Sequence, residues 1–570
     1  MTRLFIIVSF LFYSCSDNNV NTYNTIIPKP VHQSIKEGFF NLSEKTEVIF
    51  DSTFENEASY VKSEVLINYG KNKNVIQLIK NKSLKEEEYL LSISKNKILI
   101  EASTAKGQMH AIQSIRQLIP IKTKNNPTSI LIKCMEIHDY PKFKWRGLLL
   151  DCCRHFMEKD FVKKYIDLLA YHKMNVLHWH LTEDQGWRIE IDKYPKLTEI
   201  GAWRKDKNGD LYGGYYSKED IREIVEYAKS RHIEIIPEIE LPGHSVAAIA
   251  SYPNLSCTGK KINVETDWGV FKDIYCAGED SVFTFLEEVL SEVVELFPSK
   301  YIHIGGDEAP KYRWENCSKC QKRILENKLK DEHELQSYFI QRIEKFLAKK
   351  GKKIIGWDEI IDGGIPENAV VQSWRGIQGG ITAAENQHYA IMSPTSHCYF
   401  DYDLEAINLE KVYSFSPIPN DLDTIYHKYI LGGECNMWSE RAPQEKVDSK
   451  VFPRILAMSE VLWGEKEDNY DDFLKRVEKH YLKLEYLGVK YGYEKTPIKF
   501  TSNFNKDRFE IKIDKGNKNM NIIYQINDNS WQEYKKPIKL YNSAKLNAKE
   551  KNSKIKEAAF KSIEINFHKG

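Results

Sequence analysis

From Lys144 onward the chain repeats one pattern: a short apolar run, a polar corner, an amphipathic helical stretch, then another short apolar run. The runs are Gly147–Leu150, Asn175–Leu177, Ile233–Ile236, Tyr301–Ile304, Lys353–Ile355, Ala369–Val371, Tyr389–Met392 and Ile430–Leu431. Between most of them apolar residues recur three and four apart, as in Phe161, Tyr165, Leu168 and Leu169, the spacing of one helix face. Ser217-Lys-Glu-Asp220 has the form of a capping box, and Gly351 stands where a C-cap glycine belongs. Eight strands alternating with helices predict an α/β fold of the TIM-barrel type, a (β/α)8 barrel over residues 141–490. A doubly wound open sheet is the alternative, but the Gly-rich phosphate loop that would favour it is absent.

The flanks read differently. Residues 25–140 combine alternating strands (Tyr89–Ser94, Lys97–Glu101) with an apolar helical stretch, Gly107 to Leu118, closed by Pro120; this is an α+β domain. Residues 497–570 are β-rich and rich in Lys and Asn, a small β-sandwich-like domain. Arg3 followed by the apolar run Leu4 to Phe12 is too short to span a bilayer and reads as an export signal over residues 1–15. Phe12-Tyr13-Ser14-Cys15 resembles a bacterial lipoprotein signal, which would make Cys15 the lipidated residue; an ordinary cleaved signal peptide is the alternative. Residues 16–24 are a polar tether. The protein is then expected outside the cytoplasm, lipid-anchored at the periplasmic or cell-surface side of a bacterial membrane.

In that compartment disulfides can form. Cys257 and Cys276 bracket a polar loop and are a candidate staple. Cys317-Ser-Lys-Cys320 could be half of a zinc site, but no second ligand pair has the usual spacing, so no structural metal and no cofactor are expected. With 82 basic and 81 acidic residues, nothing in the charge balance points to nucleic acid or an anionic membrane surface.

Polar and aromatic residues collect at the expected carboxyl ends of the strands, where such barrels hold their sites. They are Asp151 and Arg154, His178-Trp-His180, Glu183-Asp184, Glu238, Glu240, His244, Asp307-Glu308, Trp357-Asp358, Trp374-Arg375, Tyr399 with Asp401, and Trp438 with Glu440. Two carboxylates amid aromatic rings suggest glycoside hydrolysis. The usual scheme sets its carboxylates on opposite faces of the sugar, which adjacent residues at a strand end do not do, because their side chains alternate. An N-acetyl group on the sugar removes the difficulty by supplying the nucleophile itself. Two rivals stand beside this reading. His178-x-His180 could begin a metal site on one strand face, and a sugar-binding lipoprotein could have lost catalysis.

Five motifs resemble family-20 glycoside hydrolases, the β-N-acetylhexosaminidases: Asp151-Cys-Cys-Arg-His-Phe156, His178-Trp-His-Leu-Thr-Glu-Asp-Gln-Gly-Trp-Arg188, Pro237-Glu-Ile-Glu-Leu-Pro-Gly-His244, His303-Ile-Gly-Gly-Asp-Glu308 and Gly433-Glu-Cys-Asn-Met-Trp-Ser-Glu440. The resemblance implies an exo-acting retaining glycosidase that removes terminal β-linked N-acetylglucosamine or N-acetylgalactosamine through an oxazolinium-like intermediate. It also implies roles. Glu308 would be the acid and then the base, and Asp307 would hold the acetamido N–H. Tyr399 would bond the acetamido oxygen, and Trp357, Trp374 and Trp438 would wall the pocket. Arg154 and Glu440 would bind the C3 and C4 hydroxyls, Asp401 the C6 hydroxyl, and His244 would sit beside the acid. Burial against Trp and the Asp307 charge are expected to raise the Glu308 pKa.

Overall fold

The computed structural model describes residues 25–43, 45–66, 74–121, 130–206, 208–465, 469–505, 507–518, 520–551 and 559–566. The expected export signal, Cys15 and the tether lie outside the described residues.

Eight parallel strands close into a barrel. They are β1 (Trp145–Asp151), β2 (Val176–His180), β3 (Glu234–Leu241), β4 (Tyr301–Gly305), β5 (Lys353–Trp357), β6 (Val370–Ser373), β7 (Ala390–Met392) and β8 (Ile430–Met437). β8 returns to β1 over six residue pairs, from Gly432–Trp145 to Met437–Leu150, which completes the closure. Each apolar run picked out in the sequence overlaps one of these strands. β1 and β2 are buried along their whole length, as expected of parallel strands covered on both faces. The Ser217 capping box is present and opens the helix Lys218–Lys229, and Gly351 adopts φ +75° just past the helix Glu332–Lys349. Between β5 and β6 the chain makes only a 3-10 turn, Asp358–Ile361, in place of a full helix.

The N-terminal domain is a six-stranded mixed sheet whose strands run in the order 32–42, 130–139, 89–93, 97–102, 75–80, 47–50. Its helix Ala105–Leu118 is capped by the Thr104 side chain, and ten of its residues are buried. Several of those are polar because the helix lies between the sheet and the barrel. The Gln117 amide donates to the carbonyls of Ile27 and Tyr171 and accepts from the Ile27 N–H. Buried Lys173 donates to Asp139 (2.7 Å), which also accepts from Trp463 Nε1 (2.8 Å). Such pairing is required wherever polar groups leave water.

After the helix Tyr470–Tyr486, two antiparallel sheets of three and four strands share one apolar core that includes Ile511, Ile513, Ile522 and Leu546. Among the described residues no helix is long and apolar enough to cross a membrane.

Candidate active site

The C-terminal mouth of the barrel holds a cavity of about 160 Å³ lined by Arg154, Glu183, Glu240, Asp307, Glu308, Trp357, Trp374, Tyr399, Asp401, Tyr402, Trp438 and Glu440. Of the ten pocket residues expected from the sequence, nine line it. The tenth, His244, stands just behind the carboxylate pair.

β4 ends at Gly305, and the chain then leaves the extended conformation altogether. Gly305, Gly306 and Glu308 have φ of +65°, +95° and +44°. Positive φ costs a glycine little, and at Gly305 a Cβ would also fall 1.6 Å from Glu240 Oε2. Glu308 carries a side chain in this region, an arrangement that local packing must hold. The turn corrects the alternation expected at a strand end. Asp307 and Glu308 face the same way, with Asp307 Oδ2 and Glu308 Oε2 lying 3.6 and 3.5 Å from a single atom, His244 Nε2. They still cannot flank an anomeric carbon from opposite faces, but the reason is their shared side rather than opposed ones.

His244 is itself held from behind. Its Nδ1 lies 2.8 Å from Glu183 and 3.2 Å from Asp184, and Asp184 accepts from the Val246 N–H. Burial opposes a charge on this ring, but Glu183 and Asp307 together hold its pKa well above the usual value. The imidazolium bears on Glu308. Chiefly through the hydrogen bond from His244, the Glu308 carboxyl is held below its ordinary pKa, burial acting in the opposite direction. The upward shift expected from the sequence is therefore corrected for the unliganded site. The Glu308 side chain is 39% exposed, so water still reaches it, and the cation beside it outweighs the rings around it.

The rest of the pocket is built by aromatic packing and one arginine. Trp374 and Tyr399 stack with centroids 6.2 Å apart, and Trp357 meets Trp438 at 5.8 Å. Arg154 lies over the Trp438 ring at 5.0 Å and reaches Glu183 (2.9 Å), Asp151 (3.3 Å) and Glu440 (3.5 Å). Burial keeps the Tyr399 phenol well above its ordinary pKa, so its hydroxyl stays a donor. Burial, followed by the charge of Glu440, pushes Asp401 up to about 7. Asp307 Oδ1 and Asp401 Oδ1 are buried and have no hydrogen-bond partner.

Tyr402 and Glu359 are not among the residues picked out from the sequence, and Glu183 is picked out only as a barrel-mouth carboxylate without a role. Glu183 bridges Arg154 and His244, Tyr402 lines the pocket, and Glu359 accepts from Trp374 Nε1 at 2.9 Å. The signal for Glu183 was its place in a motif beside His180; for Glu359 it was proximity to Trp357; Tyr402 carried none.

Below the pocket, His178 and His180 lie among buried carboxylates, with His178 Nε2 lacking a hydrogen-bond partner. His178 Nδ1 lies 2.7 Å from Glu434, Glu238 accepts from Trp357 Nε1 and bonds His180 Nδ1, and His303 Nδ1, which accepts from the Gly305 N–H, lies 2.8 Å from Glu238. Burial works against both charges, yet Glu238 and its neighbours raise His178 to about 9 and His180 to about 10.

Two family models cover most of the chain. The description "Glycosyl hydrolase family 20, catalytic domain" matches residues 143–466, and "Glycosyl hydrolase family 20, domain 2" matches residues 23–140. The chain belongs to glycosyl hydrolase family 20. A β-hexosaminidase of Porphyromonas gingivalis is 45% identical over 425 residues, 72% of this chain and 55% of that protein; this family-20 chain thus spans about half the length of that relative. A β-hexosaminidase of Vibrio furnissii is 34% identical, with 76% of each chain covered. Among solved structures, the β-N-acetylhexosaminidase of Bacteroides fragilis superposes with a TM-score of 0.74 at 33% identity, covering 82% of this chain and 97% of that one. The Vibrio harveyi exo β-N-acetylglucosaminidase bound to N-acetylglucosamine gives 0.75 at 31% identity, covering 82% and 78%. The family-20 catalytic model spans every strand of the barrel, and with them every residue of the pocket.

The cysteine expectations need correction. Cys257 and Cys276 are not bonded as a pair; all nine described cysteines are free, and these two lie beside Cys317 and Cys320.

Proposed function

We propose that the chain is an exo-acting β-N-acetylhexosaminidase that cleaves terminal N-acetylglucosamine or N-acetylgalactosamine with retention, using the sugar's own acetamido group as nucleophile. The observation that carries this reading is the orphan Oδ1 of Asp307. A buried carboxylate oxygen without a donor is costly, and an acetamido N–H within the aromatic cup would supply one. Tyr399, kept neutral, would donate to the acetamido oxygen from the other side and aim it at the anomeric carbon. Making the attack intramolecular can offset about 7–11 kcal/mol of barrier in good geometry.

In the first step the acetamido oxygen bonds to the anomeric carbon as the glycosidic bond breaks, and Glu308 gives its proton to the leaving oxygen. In the second step Glu308, now a carboxylate, takes a proton from the water that opens the oxazolinium ring. Glu308 must therefore carry a proton in the substrate complex. A docked sugar excludes the water that now solvates it and sets a neutral ether oxygen against it; both favour the acid form. Arg154, Glu440 and Asp401 would take the ring hydroxyls.

The discriminating experiment pairs substrates with an inhibitor. Aryl N-acetyl-β-glucosaminide should be hydrolysed at least 100-fold faster than the aryl β-glucoside. A thiazoline that mimics the intermediate should bind the parent enzyme tightly and Asp307→Ala weakly. Equal rates on the two glycosides would sink the reading. We also propose export with lipidation at Cys15, which predicts incorporation of labelled fatty acid that Cys15→Ala abolishes.

A further inference from the structure

Away from the sugar pocket, two connecting segments meet backbone to backbone. One runs from β3 to the helix Asp280–Leu296 and carries Cys257 and Cys276; the other follows β4 and carries Cys317 and Cys320, the latter in the helix Ser318–Glu326. Their contact is tight. A Cβ on Gly278 would fall 2.3 Å from the Lys319 carbonyl carbon and 2.5 Å from the Cys320 nitrogen. Trp314 Nε1 donates to the Tyr275 carbonyl (2.9 Å), and Arg313 forms two hydrogen bonds to Asp273.

This packing brings the four sulfurs together, all within 4.8 Å of one another. Cys276 Sγ is 3.6 Å from Cys320 and 3.9 Å from Cys317, and Cys257 is 3.7 Å from Cys320. Cys276 and Cys320 are fully buried. Four thiolates around zinc at about 2.3 Å sit about 3.8 Å apart at the corners of a tetrahedron. Two disulfides would give a different picture, with each sulfur paired to one partner at about 2.05 Å. Here Cys276 and Cys320 each have two neighbours at nearly equal range, as sulfurs arranged about a common centre do. No exposed carboxylate or histidine is needed to complete the set, which makes it a closed, structural type of site.

We propose that Cys257, Cys276, Cys317 and Cys320 form a tetrathiolate zinc site that fastens the β3 connection to the β4 connection. Binding is acid–base chemistry alone: each thiol gives its proton to solvent, each sulfur donates an electron pair to the metal, and nothing is oxidised. The site is separate from the sugar pocket, and its failure would leave the proposed hydrolysis untouched. Sequence spacing hid it, because the second ligand pair is split across the long loop between Cys257 and Cys276.

The test uses the full chain purified without added metal or chelator. Elemental analysis should find one zinc per chain, released in step with mercurial titration of four thiols. Cobalt-substituted protein should show the sulfur-to-metal charge-transfer bands and d–d envelope of a tetrahedral thiolate site. Cys257→Ser, at the partly exposed corner, should lower zinc content at least tenfold, and chelation should lower the Tm of the unaltered chain. A metal-free protein with all thiols titratable would overturn the proposal. So would a thiol count four short after denaturation, since that would make the cluster two disulfides.

Discussion

Two layers of carboxylates lie one above the other in the barrel, and their oxygens are treated in opposite ways. In the floor, Glu238 and Glu434 have both oxygens occupied: Glu238 by His180 and Trp357, Glu434 by His178, Gln372 and Trp145. Two residues further along β3, Glu240 turns into the mouth with Oε2 unpartnered, and Asp307 and Asp401 each leave one oxygen bare. Burial alone would raise the pKa of both Glu238 and Glu240. The histidines nevertheless hold Glu238 well below the usual range, whereas the charges of Asp307 and Glu238 push Glu240 further up. A carboxylate that has spent its acceptors on the protein serves the fold; one that keeps an acceptor in reserve can serve a ligand.

The largest expected effect is in the mouth. Glu308→Gln should lower kcat on unactivated glycosides by about 10²–10⁴-fold, and by much less on nitrophenyl glycosides, whose leaving group needs little help. Steady-state kinetics on both would show it, and a uniform small loss would break the assignment. In the floor, Glu238→Gln removes the anion from beside His178 and His180 and should cost on the order of 3–5 kcal/mol of stability, read by urea denaturation. If that variant keeps its stability and loses only turnover, the floor is catalytic and the contrast fails.

Glu359 sharpens the boundary between the layers. Burial and then the Asp307 charge raise it to about 8, so the folded state resists its ionisation. Stability is intact below the unfolded carboxylate range, near pH 4, and falls as the pH climbs toward 8. Glu359→Gln should therefore raise Tm at pH 8 by the equivalent of about 4 kcal/mol and change it little at pH 5. The smallest effect concerns His244. In His244→Gln the hydrogen bond that lowers Glu308 is lost, and the alkaline limb of the kcat/KM profile, which reports the free enzyme's acid, should move to higher pH.

The barrel was legible because its information is local. Each apolar run, cap and glycine acts over a few residues, and Gly147–Leu150 or the Ser217 box needs no knowledge of the rest of the chain. The pocket was legible through motifs that place Arg154, Asp307, Glu308 and Trp438 at strand ends. What the sequence withheld depends on contacts across the fold. Glu359 joins the site only because Trp374 folds back to it, and the sign of the Glu308 shift depends on His244, 64 positions earlier. Cys257 likewise meets Cys320 across 63 positions of sequence.

The paired floor has one further consequence. It closes the cavity from below, so the mouth is both entrance and exit, and at about 160 Å³ the space is below the ~300–1,000 Å³ of sites that enclose drug-sized ligands. A polymer cannot thread through such a site. Under the proposed reading it would present an end, surrender one residue and withdraw before the freed monosaccharide could leave. A chain that hydrolyses as proposed would trim termini rather than cut interiors, and the freed sugar, still carrying its acetamido handle, would compete for the same seat as the next substrate.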